Sequence, residues 1–190
     1  MSENVEPGGV SRRTVTRAMA WAVPAVAVAA AVPIAAASVN EPPPPVFAWS
    51  SGCATTGSGG GCAGARKTPQ VPFTITNPTA MTVQFQVLGQ KSWIGHGAPP
   101  ANWSPLGGIY ANHGTQHSCG PRLDVVGCDG YRSIVLAPGA SLNLWFVGSE
   151  MGSANEFSMR VHYRWVTSTC EILVAPAEIG AHMSSSTNCK

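Results

Sequence analysis

From Val46 onward the apolar residues fall at every second position in short runs. "TVQFQVL" (82–88) puts Val83, Phe85 and Val87 on one face and Thr82, Gln84 and Gln86 on the other. "FSMRVHYRWV" (157–166) does the same over a longer span. Phe157, Met159, Val161, Tyr163 and Trp165 point one way, and Ser158, Arg160, His162 and Arg164 the other. A period of two is the pattern of a strand with one buried face. "SIVLAPGASLNLWFV" (133–147) predicts two strands around the break at Pro138-Gly139, and shorter strands are expected at 46–50, 71–77 and 170–175. No segment after residue 45 carries a 3.6-residue apolar period. Some seven short strands separated by turn signals predict an all-β antiparallel sandwich.

Residues 18–37 have no alternation at all. This run is long enough to span a bilayer, but it consists mostly of Ala and Val, and Pro24 and Pro33 interrupt it. It follows a segment with Arg12, Arg13 and Arg17 and ends in Ala35-Ala36-Ala37. A basic start, an apolar middle and small residues at the exit describe an export signal that is cut away rather than a retained anchor. "SRRTVTR" (11–17) resembles the twin-arginine export motif of bacteria, with Arg12, Arg13, Val15 and Arg17 in its places. The family prefers a larger apolar residue than Val15 and another apolar one where Thr16 stands. Cleavage after Ala37 gives a mature protein beginning at Ser38, and the resemblance implies only transient contact with the export machinery. The expected organisation is therefore a signal peptide over 1–37, a polyproline spacer over 38–45 ("SVNEPPPP") and one domain over 46–190.

"FTITNPTAMTVQFQV", "LAPGASLNLWF" and "FSMRVHYRW" together are similar to the bacterial immunoglobulin-like domains of secreted and cell-surface proteins. Those domains run from strand to strand through Asn-Pro and place a Pro-Gly turn before a late strand. The similarity implies an immunoglobulin-like fold and, because the motifs are generic, no particular activity. The chain departs from that pattern at residues 89–121, a long stretch rich in Gly, Pro, Asn and His that reads as one loop.

Charge and cysteine usage fit export. The formal net charge is +2 and charged residues make up 11% of the chain, against about 25% in ordinary soluble domains. That balance gives no basic footprint for nucleic acid. Cys53, Cys62, Cys119, Cys128, Cys170 and Cys189 all follow the cleavage point, as expected of an oxidising compartment outside the cytosol. None has the close spacing of a zinc site, so the six read as disulfides. Local spacing favours Cys53–Cys62, Cys119–Cys128 and Cys170–Cys189.

The chemistry-bearing residues concentrate in 89–121. His113 and His117 in "NHGTQHSC" are four apart, with His96 earlier, but Gly114 and the lack of helical period argue against a metal pair, and only Asp124 and Asp129 lie nearby as acids. Trp93, Trp103 and Tyr110 could stack on sugar rings or simply cover the fold. His96, Trp103, His113 and His117 form the candidate ligand-binding loop. Arg160, His162 and Arg164 alternate along one strand face, suited to an anionic polymer or to plain solvation. No catalytic motif is present, and no metal or other cofactor is implied. The expected function is a non-catalytic exported interaction or structural domain, secreted or at the bacterial cell surface, whose partner is a wall or surface component or another protein. The alternative is a binding protein that takes a metal ion or a carbohydrate through the 89–121 loop.

Overall fold

The computed structural model describes residues 41–54, 68–113, 120–152, 156–183 and 187–189. Eleven strands run through them: β1 (Val46–Phe47), β2 (Cys53–Ala54), β3 (Pro69–Thr76), β4 (Val83–Ile94), β5 (Gly108–Tyr110), β6 (Val125–Val126), β7 (Arg132–Leu136), β8 (Ser141–Val147), β9 (Phe157–Thr167), β10 (Ile172–Met183) and β11 (Thr187–Asn188). All belong to one unit of the chain and form two sheets. Sheet A has the order β11-β2-β3-β8-β5, with β1 also paired to β3; sheet B has the order β10-β9-β4-β7-β6. Every pairing is antiparallel except that of β11 with β2. The expected all-β class is therefore observed. The signal peptide, Arg12, Arg13 and residues 38–40 of the spacer lie outside the described residues, as do Cys62, Cys119 and His117. Among the described residues no helix is long and apolar enough to cross a membrane.

The alternating runs supply the core. Val83, Phe85 and Val87 of β4 and Phe157, Met159, Val161, Tyr163 and Trp165 of β9 are all buried. They share one cluster with Phe73 and Ile75 of β3 and Leu144 and Phe146 of β8. Phe73 of sheet A meets Phe85 of sheet B at 6.0 Å between ring centroids, and Phe85 meets Trp165 edge-on at 5.2 Å. Such aromatic pairs add to plain area burial, so the two sheets are joined by a continuous aromatic seam. At the Asn-Pro step, the buried Asn77 amide donates to the carbonyls of Met81, Leu136 and Ala137, tying the β3–β4 turn to the end of β7.

Two expectations are corrected. Residues 89–121 are not one loop. β4 runs on through residue 94 and β5 forms at 108–110, because a bulge hides the continuation. Pairing with β9 steps from Val87↔Tyr163 to Gly89↔His162, leaving Leu88 as the extra residue. One inserted residue reverses which side chains face inward. Beyond it Gln90 and Ser92 turn to the buried side, where Ser92 Oγ donates to Gln90 Oε1 at 2.7 Å and Gln90 Nε2 donates to the Pro105 carbonyl at 3.3 Å. Gly89, Lys91 and Trp93 turn outward.

The disulfides are long-range, not local. Cys53 bonds Cys189 and Cys128 bonds Cys170, which excludes all three pairings suggested by spacing. The reason is strand pairing. β11 lies beside β2 with Thr187 opposite Cys53, which carries Cys189 to the edge of sheet A. Cys170, in the β9–β10 turn, reaches across to Cys128 ahead of β7.

Candidate functional site

The outer face of sheet B is built in rows across β4, β9 and β10, because directly opposed residues of antiparallel strands share a face. One row is Trp93, Ser158 and His182; the next is Lys91, Arg160 and Gly180; the third is Gly89, His162 and Glu178. Each of the last two rows contains a glycine, and at both the place of the missing side chain is filled. At Gly89 the missing side chain is replaced by a tryptophan from the following loop: a Cβ there would meet Trp103 Cβ at 2.9 Å. Trp103 packs on His162 at 5.1 Å and carries the Lys91 ammonium 4.6 Å from its ring centroid. Lys91 Nζ also donates to the Ala101 carbonyl at 3.0 Å.

At Gly180 the backbone of β9 takes that place: a Cβ there would come within 2.5 Å of the Met159 carbonyl oxygen, so the position accepts only glycine. Around this close approach lies a cleft of about 480 Å³ lined by Trp93, His96, Ser158, Arg160, Glu178 and His182 among others. That volume lies within the roughly 300–1,000 Å³ usual for small-ligand sites.

The turn after β4 closes one end of the cleft. Gly95 has φ +67°, a left-handed conformation that favours glycine. The turn is fixed from both sides, since Trp93 Nε1 donates to the Gly97 carbonyl and Ser158 Oγ donates to the Gly95 carbonyl, each at 2.8 Å. This lays His96 on His182, their ring centroids 3.4 Å apart. His182 Nδ1 is 2.9 Å from Ser158 Oγ. Its Nε2 is buried without a hydrogen-bond partner among the described residues and lies 3.9 Å from Glu156 Oε2. On the open side Arg160 Nη1 donates to Glu178 Oε2 at 3.4 Å, and both side chains are nearly half exposed.

The expected loop residues are thus divided between the two sheets. His96 lines the cleft and Trp103 lies beside it. His113 does not join them; it contacts Trp145 of β8 edge-on at 5.1 Å, on sheet A. Tyr110 is buried. Asp124 and Asp129 are engaged elsewhere. Asp124 takes the Arg122 guanidinium and the Ile109 N–H, and Asp129 pairs with Arg164. Among the described residues no three His, Cys, Asp or Glu side chains converge as metal ligands.

The basic stripe on β9 is also not a free cationic surface. Arg160 pairs with Glu178, and His162 stacks on Trp103. Arg164 is held by Asp129, by Gln86 Oε1 at 2.8 Å and over the Tyr131 ring. Sequence reasoning missed Glu178, Gly180 and His182. Their alternation with Ile179, Ala181 and Met183 is present in "EIGAHM", but the strand expected at 170–175 stops short of it, whereas β10 runs on to Met183. β10 is an edge strand, where proline is tolerated, and the register shift between Val174 and Ala177 absorbs Pro176.

Comparison of the chain with protein-family models, with curated proteins and with solved structures finds no match.

Proposed function

We propose that this chain is an exported, non-catalytic interaction domain with an immunoglobulin-like sandwich, binding a component of the bacterial cell envelope or surface through the outer face of sheet B. The observation that carries this reading is the open cleft at Gly180, ringed by groups that can donate and accept hydrogen bonds but are not arranged for turnover. The Ser158 hydroxyl proton is committed to the Gly95 carbonyl. Its histidine contact lacks an aligned acid, because Glu156 stands 3.9 Å from the other imidazole nitrogen. A nucleophile needs a base within hydrogen-bond reach that is itself oriented by a third group, and that third element is missing among the described residues. Two antiparallel sheets with one shared core support the sandwich, and long-range disulfides support an oxidising destination.

The test has two parts. Changing Arg12-Arg13 to Lys-Lys is expected to hold the protein in the cytosol, and the exported form is expected to start at Ser38. Normal export of the double-Lys variant would remove the twin-arginine route. The purified protein is then expected to sediment with envelope fragments of the bacterium that makes it. It should do so less in Trp93→Ala and Arg160→Gln variants and equally well in Asn143→Ala. Equal sedimentation of all four proteins, or none, would end the proposal.

A further inference from the structure

We infer that the cleft binds an uncharged sugar unit of a glycan; this rests on the proposed interaction role and names its ligand class. Three observations converge on that chemistry.

The first is the aromatic floor. Trp93 has its indole N–H tied to Gly97, so the ring is held in one orientation, and among the described residues no other ring or cation stacks on it. An aromatic face is electron-rich, which suits the C–H groups on one side of a pyranose. Trp103 differs, being occupied by Lys91 and His162.

The second is the polar rim. Arg160 and Glu178 both line the cleft, one a fork of donors and the other an acceptor. A sugar hydroxyl both donates and accepts, so adjacent hydroxyls can bridge such a pair. The pair is exposed and its closest contact is 3.4 Å. An exposed ion pair of this kind contributes little by itself, so a ligand can take its place at small cost.

The third is charge balance. Arg160 faces Glu178, with Glu156 at the far end near His182, and the Lys91 ammonium is engaged by Ala101 and Trp103. Among the described residues the one arginine lining the cleft, Arg160, is paired with Glu178, so no surplus guanidinium or ammonium faces it, and an anionic glycan would meet the Glu178 carboxylate there. The geometry therefore selects against acidic polymers and for neutral ones.

The experiment follows tryptophan fluorescence and heat on titrating the purified protein with chitotriose, cellotriose and, as an acidic control, trigalacturonate. Saturable binding of a neutral trisaccharide is expected. Its affinity should fall about tenfold in Trp93→Ala, as loss of an aromatic contact implies, and comparably in Arg160→Gln or Glu178→Gln, which sit at exposed positions and leave the fold intact. Binding should change less than about twofold between roughly 0.05 and 0.5 M salt, since the ligand carries no charge to screen. A second arm uses envelope fragments. Sedimentation should survive protease treatment of the fragments and be lost when glycosidases dissolve their glycan.

Preference for trigalacturonate, or strong salt dependence, would overturn the neutral-sugar inference. So would failure of both neutral sugars together with loss of sedimentation after protease; sedimentation with untreated fragments would then still uphold the interaction role. Absence of sedimentation with any fragment would overturn both.

Discussion

The outer faces of the two sheets are built from different chemistry. On sheet A the outward positions of β3 and β8 carry a short ladder of small uncharged groups beside the Pro72–Trp145 pair. Thr74 donates to Asn143 at 2.7 Å, and Thr76 meets Ser141 at 2.9 Å. Each of these four side chains uses its neighbour, and none of them is charged. On sheet B the outward positions hold tryptophan, arginine, glutamate and histidine around a cleft. The inner faces of both sheets do the same work, with one aromatic seam joining them. The difference teaches that burial fixes the inward half of each strand, whereas the outward half is where the sheets can diverge in function.

The largest expected effect tests the division into inner and outer faces. Val161 is fully buried, so Val161→Asp places a carboxylate in the core without a partner. That should cost several kcal/mol, a large part of the roughly 5–15 kcal/mol that holds a domain together. His162→Asp, one residue further on and on the outer face, should stay within about 1 kcal/mol of the parent. Thermal melts of the two variants decide it, and similar midpoints would mean that the register is wrong.

Next in size is the Cys128–Cys170 bridge. Replacing Cys128 and Cys170 together with serine opens the link between the start of β7 and the β9–β10 turn. A loss of about 2–4 kcal/mol is expected in urea unfolding. It should be accompanied by weaker fixation of Asp129, whose contact with Arg164 sits beside the bridge. An unchanged midpoint would show that the two cysteines are not bonded to each other.

Alkaline pH gives a graded effect on the interior. Burial raises the Tyr163 hydroxyl above its ordinary value of 10.0. Burial also raises that of Tyr110, with the Arg122 guanidinium opposing and the Asp124 carboxylate adding. With the folded value raised, the unfolded chain loses these protons first. The stabilisation is complete below about pH 10 and is lost as pH rises through the folded values. Stability measured by urea midpoints should fall above about pH 10, and Tyr163→Phe should flatten that fall. A slope unaltered by the substitution would assign the alkaline loss to other groups.

The smallest effect belongs to sheet A. Thr74→Val removes one rung of an exposed ladder and should shift stability by no more than about 0.5 kcal/mol, with envelope binding untouched. Reduced binding in this variant would break the contrast between the faces.

Much of the fold was legible because period-two alternation follows directly from burial of one face. Every inward residue expected on residues 82–88 and 157–166 is in the core. What stayed hidden depends on contacts between distant segments. The extra residue at Leu88 changes the phase of β4, and with it the side on which Trp93 lies. The cysteine partners follow from which strands become neighbours, which local spacing does not encode. His96 and Trp103 were singled out by residue type. That one stacks on His182 while the other fills the space above Gly89 could not be read from the sequence. Glu178, Gly180 and His182 were missed because the expected strand ended at residue 175, whereas β10 continues past Pro176, which an edge strand tolerates.

The most direct test is hydrogen exchange of the purified protein with and without envelope fragments, read segment by segment. Slower exchange is expected in the second half of β4 (residues 89–94), in β9 around Arg160 and in β10 around Gly180, with β3 and β8 unchanged. Protection concentrated instead at Thr74, Asn143 and Trp145 would place binding on sheet A and contradict the assignment of the site.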